Sequence, residues 1–536
     1  MTCRLDEQSL KRDTQDPEEI MKTEYFLAAE LAALVLPLLA MAAAQLATEK
    51  WKVPCLVFGQ MAALFNAASA VLVGLSGMDA DAHRLGSGTF SLRLDFASAC
   101  LITGMTFITT VVLSFSERYL GGEKYRLTFL YLVTFLSSCA AWLTCTDSMA
   151  VACVFWCLLS VGLYTAVRLH APERASAQVV LRHHLLSDVC MIASAMLLYG
   201  AVGTSQFSQL SSVTAGLNSH VEAGGVALPV TYGTCACSLL VLAFSIKSAL
   251  FPFHRWLLAT LDAPTPLSGL LHAGVVNVSA IMAWRLMPVL QTEPAVLTAW
   301  GTIAALSAIA GTLSMSAQPD VKRKLVYSTV GQMGFMALQC ASGALGAALF
   351  HMVAHGLFKC HMFLQSGNAV AEGVNKRKFG WSTSELPGAK DGTVRKLVVV
   401  TVAVAACIAI YELNMNHCAT WVSTVIAASA LLTAVPSMHR ITPTSLVTFW
   451  VTVMAVVTGA ALLCTGFEQR LSHTPGYGQS WLLPTFLLVF ASLATILQLA
   501  KNSEWSKALY VHSLNGFYID DIASRSKTLT SIRRTT

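Results

Sequence analysis

Two lysines lie inside long apolar stretches, where a charged side chain is costly. Lys247 occurs in SLLVLAFSIKSALFPFHRW and Lys359 in FHMVAHGLFKCHMF. An ionisable group at mid-membrane costs about 2.5–3.5 kcal/mol on insertion scales, so it is usually retained by a polar interior path or a partner. A desolvated amine also exchanges protons readily. The sequence therefore predicts that both lysines carry protons through a membrane.

The stretch around Lys247 predicts a broken helix. Pro252 follows five residues later and removes a backbone hydrogen bond. Carbonyls released by such a break can bind ions or water where they line a cavity. The alternative is that Lys247 extends to the membrane surface, which Arg255 marks about 12 Å further along a helix. That distance exceeds the reach of a lysine side chain, so we favour an ion-pathway role.

A histidine lies in the apolar stretch that follows. Pro264 and Pro266 in APTPLSGLLHAGVVN suit the start of a helix and place His272 about two turns inside it. Histidine can titrate near neutral pH. We predict a proton-relay role, with a hydrogen-bonded core histidine as the alternative.

Three basic residues recur every fourth position in another stretch. His351, His355 and Lys359 share one helix face. Two histidines at this spacing also fit a metal pair. No carboxylate or thiolate on that face completes a metal site, and Lys359 would repel a cation. The spacing favours a proton wire, and simple packing is the other alternative.

Four further charged residues have less distinctive surroundings. Asp188 follows His184 by one turn, and a structural ion pair or a role in tuning its partner's basicity fit equally well. Lys322 in DVKRK is either a cytoplasmic anchor or the mouth of the path. Glu30 and Glu412 are lone carboxylates that we expect at the membrane interface.

The composition indicates the elements that must hold these residues. The chain has 536 residues, 55% hydrophobic and 12% charged, with a mean hydropathy of +0.60. Soluble proteins average about 25% charged residues. These values exclude a soluble, disordered or disulfide-rich protein, and the net charge of +6 is too weak to suggest a nucleic-acid partner. No nucleotide-binding, metalloprotease or serine-nucleophile motif occurs, so the chain is not expected to be an enzyme or to hold a cofactor.

We predict an all-α polytopic membrane protein with about 15 transmembrane helices. The expected spans are 25–47, 53–76, 96–116, 127–146, 149–167, 184–202, 230–251, 264–284, 295–316, 325–341, 343–370, 397–413, 418–436, 443–464 and 480–500. With the N-terminus outside and the C-terminus inside, 25 of the 35 Lys and Arg residues fall in cytoplasmic segments and four in outer loops. The N-terminal tail is the exception, because it places four more on the outer side. Thr89–Asp95 alternates apolar and polar residues and predicts a short outer strand.

Several long motifs resemble one superfamily. They are SIKSALFPFHRWLLATLDAPTPLSGLLHAGVVN, DVKRKLVYSTVGQMGFM, ALFHMVAHGLFKCHMFLQSGNAV and NGFYIDDIASR. The sequence is similar there to the antiporter-like subunits of respiratory complex I and the Mrp cation antiporters, over roughly residues 90–375 and the tail. HAGVVN and Ser116–Glu123 (SERYLGGE) look most like the DabB branch, the membrane subunits of two-part systems that accumulate dissolved inorganic carbon.

The resemblance implies a fold of two inverted five-helix repeats with broken helices. It places Lys247, His272, His351, His355 and Lys359 on the polar axis of the family, and Asp188 on its sixth-span aspartate. The expected segments are a polar tail (1–23), N-terminal helices (24–124), two repeats (125–290 and 291–436), C-terminal helices (437–502) and a cytoplasmic tail (503–536).

The resemblance also implies a partner and a location. DabB subunits resemble cation channels for H⁺ or Na⁺ in the bacterial inner membrane. Their partner DabA is a large zinc protein on the cytoplasmic side, related to β-carbonic anhydrases. Ion flow is thought to drive the hydration of CO2 to bicarbonate on DabA. Zinc is therefore expected in the partner and no metal in this chain.

Two positions depart from the complex I pattern. Cys157, next to Trp156, stands where those subunits carry a glutamate, so Lys247 needs another counter-charge. The stretch 397–412 offers only Glu412 and lacks the usual lysine. Both departures favour a coupled, energy-consuming subunit. The alternative is a proton-pumping subunit of an NADH or ferredoxin dehydrogenase, or an Mrp-type antiporter subunit.

Overall fold

A computed structural model of the protein describes nine stretches of the chain. They are residues 17–75, 83–86, 90–170, 174–210, 217, 219–223, 226–367, 482–499 and 503–519. The expected spans 397–413, 418–436 and 443–464 lie outside the described residues, and so does Glu412. The first helix begins at Pro17, inside the segment expected to be a polar tail.

Helices dominate the described residues. In chain order they are α1 (Pro17–Leu46), α2 (Glu49–Leu75), α3 (Phe96–Tyr119), α4 (Arg126–Cys145), α5 (Met149–His170), α6 (Arg174–Val202), α7 (Phe207–Leu210), α8 (Tyr232–Lys247), α9 (Arg255–Ala259), α10 (Thr265–Ala273), α11 (Val278–Arg285), α12 (Met287–Leu290), α13 (Pro294–Ala317), α14 (Val321–Ala341), α15 (Leu345–Leu364), α16 (Leu482–Leu499) and α17 (Glu504–Leu514). Short 3₁₀ turns cover Thr260–Asp262, Val275–Asn277 and Gly516–Tyr518.

Two antiparallel hairpins depart from the expected all-α class. Strand β1 (His83–Leu85) pairs with β2 (Leu92–Leu94), and β3 (His220–Ala223) pairs with β4 (Val226–Thr231). Strand β2 confirms the strand predicted within Thr89–Asp95. The end of the bundle that carries β1 and β2 is called the hairpin end below.

The helices form a multi-pass membrane protein. Within the described residues, nine helical stretches are long and apolar enough to cross a bilayer. Large apolar side chains on several of these helices point outward, among them Phe58, Phe65, Val154, Val161 and Met196. Such an apolar exterior suits lipid and would not suit water. The predicted polytopic architecture is confirmed at this level.

One predicted span, 230–251, is interrupted after its lysine. Helix α8 ends at Lys247, and Ala249 adopts a left-handed conformation with φ of 54°. This conformation costs a non-glycine residue about 1–2 kcal/mol. The freed Ile246 carbonyl accepts hydrogen bonds from the Ala249 amide at 3.0 Å and from Trp256 Nε1 at 2.8 Å. The helix is therefore interrupted without leaving this carbonyl unpaired.

A second interruption lies in the next membrane segment. Helix α10 ends at Ala273, and the 3₁₀ turn Val275–Asn277 leads into α11. Ser248 Oγ, in the first break, donates to the Val276 carbonyl at 3.2 Å. Asn277 Nδ2 donates to the Met352 carbonyl of α15 at 3.4 Å. The two breaks and α15 are thus joined inside the bundle, where the basic residues lie.

Candidate ion pathway

Lys247 and Asp188 form an ion pair inside the bundle. Helix α6 packs along α8, and Lys247 Nζ lies 3.1 Å from Asp188 Oδ1. The lysine is 0% exposed. Its amine also donates to the Trp156 carbonyl at 2.6 Å and to Ser160 Oγ at 2.9 Å. All three N–H groups of the ammonium therefore have acceptors, which a buried charge requires.

Helix α5 supplies the rest of this group, which we call the Lys247 cluster (Lys247, Asp188, Ser160 and Trp156). Ser160 Oγ donates to Asp188 Oδ1 at 2.8 Å, so the hydroxyl bridges the two charges. The Lys247 amine lies 4.4 Å from the centre of the Trp156 ring, within cation–π range. Trp156 Nε1 in turn donates to Ser187 Oγ at 3.2 Å. The ion pair therefore contacts both a hydroxyl and an aromatic ring of α5.

Asp188 is the counter-charge of Lys247. The sequence paired Asp188 with His184, but its carboxylate lies against the lysine. His184 Nδ1 lies 3.4 Å from Ser160 Oγ, and its ring packs edge-on against Trp256 at 4.5 Å. Because Cys157 occupies the α5 position expected to hold a glutamate, the carboxylate comes from α6 instead.

A second group has very different surroundings. The Lys359 cluster comprises Lys359, His272, His355 and His351, on α10 and α15, which pack together. Lys359 is 1% exposed, and its amine donates only to the Leu325 carbonyl, at 3.2 Å, among the described residues. No carboxylate of the described residues forms a salt bridge with it. Its charge is therefore far less well satisfied than that of Lys247.

The histidines of the Lys359 cluster share this lack of partners. Neither ring nitrogen of His272 has a hydrogen-bond partner within the described part of the chain, and the ring stacks on Phe363 at 4.4 Å. His355 Nε2 is likewise without a partner there. The rings of His351 and His355 are 5.9 Å apart and nearly perpendicular. Water molecules between these groups would complete their hydrogen bonds and join them into a path.

His351 is the exception, because two glutamines contact its ring. Nδ1 lies 2.9 Å from Gln339 Oε1, and Nε2 lies 2.9 Å from Gln332 Oε1. An imidazolium could donate to both oxygens, whereas a neutral ring needs one amide turned so that its NH2 faces the ring. Turning Gln339 would also give its unpartnered Nε2 a use. The pair of glutamines can therefore accommodate both protonation states of His351.

Lys322 lies apart from both clusters. It is half-buried at the first turn of α14, and its amine donates to Thr265 Oγ1 at the start of α10, at 2.8 Å. Tyr119 OH lies 3.4 Å from the same hydroxyl. Both expectations, an anchor and the mouth of a path, fit this position. Within the described residues no group of three His, Cys, Asp or Glu side chains could hold a metal ion.

Sequence reasoning missed the groups that surround the charges. Ser160 and Trp156 are four residues apart, so they share a helix face, and that spacing was the available signal. Gln332 and Gln339 carry no comparable signal, because amides are common on helix surfaces. Their importance follows only from the contact between α14 and α15.

This fold and this set of buried basic groups are similar to what is expected of an antiporter-like membrane protein. Residues 146–384 match the family model described as NADH:quinone oxidoreductase/Mrp antiporter, transmembrane. The two breaks and both clusters lie within that range. The predicted resemblance to the superfamily is confirmed.

Individual relatives are more specific. The chain is 32% identical over 311 residues to a probable inorganic carbon transporter subunit DabB1 of Halothiobacillus neapolitanus, covering 57% of this chain and 55% of the relative. It is 36% identical over 278 residues to a probable inorganic carbon transporter subunit DabB of Bacillus subtilis, covering 51% and 53%. The predicted resemblance to DabB is confirmed, and the chain spans about half the length of these relatives.

A solved structure shows the same fold. The match is a chain of the membrane-bound sulfane sulfur reductase, an archaeal respiratory membrane complex. The TM-score is 0.53 at 17% identity, with 92% of this chain and 97% of that chain covered. At this identity the likeness concerns the fold alone.

Proposed function

We propose that the protein conducts H⁺ through the bilayer and couples this flow to the uptake of inorganic carbon. Na⁺ is the alternative ion. The observation that carries the proposal is the Lys247–Asp188 pair, buried beside a helix break that contacts a second break. The family match and the similarity to inorganic carbon transporter subunits support it. The chain itself is not catalytic in this proposal.

In this proposal, the Lys247 cluster holds a proton and the Lys359 cluster transfers protons. The Lys247–Asp188 pair keeps one proton on the amine because the carboxylate and Ser160 stabilise the ammonium. A proton that leaves Lys247 toward the Ser248–Val276 contact leaves Asp188 without its counter-charge, which favours reprotonation. Lys359 and the histidines then pass protons through water along α15. Lys322 is the proposed mouth on the cytoplasmic side.

The finer architecture belongs to the same proposal. It comprises about 15 spans, two inverted five-helix repeats at 125–290 and 291–436, an outer N-terminus, an inner C-terminus and a place in the bacterial inner membrane. The uneven distribution of Lys and Arg along the sequence supports the orientation.

The proposed partner is a DabA-like zinc protein on the cytoplasmic side. The similar proteins are named as subunits, which supports a multi-subunit assembly. Zinc and the hydration of CO2 to bicarbonate are assigned to the partner. The chain itself is proposed to hold no cofactor and to bind lipid, the ion and the partner, with no nucleic acid.

Complementation of a CO2-requiring bacterial strain tests this function. We expect growth in air to require both this chain and a DabA-like partner, to stop in Lys247→Ala and to stop on adding an uncoupler. Lys507→Ala, which alters an exposed lysine of α17, is the matched control and should leave growth intact. Rescue by this chain without the partner would refute the proposal.

The second candidate is a proton-pumping subunit of an NADH or ferredoxin dehydrogenase, or an Mrp-type antiporter subunit. The description of the matching family, which covers both, favours it. Co-purification with redox subunits, or Na⁺/H⁺ exchange in proteoliposomes, would support this candidate. Association with a zinc protein would support the first.

A further inference from the structure

A buried carboxyl lies outside the residues that match the family model. Glu30 is in the middle of α1 and is 0% exposed, so protein encloses its side chain, and the expected interfacial depth stays a prediction. Cys145 Sγ of α4 lies 3.7 Å from Glu30 Oε1. Oε2 has no hydrogen-bond partner among the described residues. A thiol is a weak donor, so the described residues give this carboxyl little hydrogen bonding that would stabilise a negative charge.

The neighbouring carboxyl, Asp95, shows the opposite situation. Arg285 Nη1 donates to Asp95 Oδ2 at 2.6 Å, and Arg93 Nε lies 3.3 Å from the same oxygen. Burial alone would raise the pKa of Asp95, but the two guanidiniums outweigh it and hold the pKa below its ordinary value. Asp95 is therefore ionised.

Arg285 and Ser98, which lie near Glu30, donate hydrogen bonds to other acceptors. Arg285 directs its N–H groups to Asp95 and to the carbonyls of Thr144, at 2.8 Å, and Arg93, at 3.3 Å. The Ser98 hydroxyl lies beside the Glu30 carboxyl, but it donates to the Asp95 carbonyl at 2.6 Å. Its oxygen accepts from the Asp95 amide at 2.9 Å and keeps one lone pair that can accept a further hydrogen bond. These surroundings suit a protonated Glu30 whose O–H group donates a hydrogen bond to Ser98 Oγ.

The site also has a route to the surface. Asp95 connects Glu30's neighbours to Arg93, whose side chain is 31% exposed at the hairpin end. Arg285 ends α11, the helix that follows the second break. We propose that Glu30 is a proton-binding site that exchanges protons with the surface at the hairpin end and feeds the broken helix α10–α11.

Binding of a proton at Glu30 does not rest on the proposed function, whereas its place in the conduction route does, so the two are measured separately. The first measurement is an infrared difference spectrum of the protein in lipid at neutral pH. The spectrum of the Glu30→Gln variant is subtracted from that of the wild type. We expect the C=O stretch of a protonated carboxylic acid in the difference, with a shift in D2O that shows exchange. Carboxylate bands instead, or an acid band that never shifts, would overturn the proposal.

Proton flux into proteoliposomes is the second measurement. We expect Glu30→Gln to lower the flux severalfold. Glu24→Gln, an exposed carboxyl on the same helix, is the matched control and should keep the wild-type flux. Wild-type flux in Glu30→Gln would overturn the place of Glu30 in the route. A wild type that conducts no protons, with the acid band present, would count against the proposed function and not against proton binding.

Discussion

Two buried lysines in the described part of the chain have opposite surroundings. Among the described residues, Lys247 has a carboxylate, a hydroxyl, a carbonyl and an aromatic ring around its amine, whereas Lys359 has one carbonyl at 3.2 Å. Both are essentially unexposed. A charge can stay in the first site permanently, but in the second it needs water or must leave as a proton. In the proposed pathway, the Lys247 site would therefore store a proton and the Lys359 site would transfer one.

Removing the counter-charge of Lys247 should have the largest effect. Asp188→Asn leaves a buried ammonium without its carboxylate, and we expect a loss of about 3–5 kcal/mol in the free energy of unfolding. Equilibrium unfolding of the protein in detergent micelles measures it. The double variant Asp188→Asn with Lys247→Met should recover most of the loss. Equal destabilisation by the single and double variants would show that the pair is not coupled.

Removing the bridging hydroxyl should cost less. Ser160→Ala deletes one hydrogen bond to each member of the pair while the charges still meet. A hydrogen bond to a charged group contributes about 1.5–3 kcal/mol. Because the two charges still contact each other, we expect the free energy of unfolding to fall by about 1.5 kcal/mol. The same unfolding experiment applies. Ser114→Ala, an exposed serine of α3, serves as the control.

Removing the amine of the Lys359 cluster should hardly change stability. Lys359→Met gives up one long hydrogen bond, about 0.5–1.5 kcal/mol, and replaces a costly buried amine with an apolar chain. Proton flux in proteoliposomes should nevertheless be lost. A destabilisation as large as that of Asp188→Asn would erase the distinction between the two clusters.

The smallest stability effect is expected at His272. His272→Phe preserves the stacking on Phe363 and removes ring nitrogens that have no partner among the described residues. We expect a change below about 1.5 kcal/mol, since no hydrogen bond is lost and a ring of similar shape fills the buried site. Proton flux should fall, which separates a relay from packing. Unchanged flux in this variant, with stability intact, would favour the packing alternative.

The two buried lysines could be recognised from the sequence around them. Apolar runs around Lys247 and Lys359 predicted buried charges, and both lysines are buried. Pro252 predicted a break after Lys247, and α8 ends there. The burial of Glu30 was not predicted, because a lone carboxylate gives no sign of which neighbours surround it. The partners of Lys247 were not predicted, because they come from two other helices.

By itself, the sequence determined that the chain crosses a membrane many times and where its costly charges lie. Hydrophobic length, proline positions and the spacing of basic residues are local properties, and they follow directly from the cost of placing polar groups in lipid. Tertiary structure alone decided which charges are satisfied. That depends on helices far apart in the chain that meet side by side, as α5 and α6 do around Lys247, and no local pattern specifies such contacts.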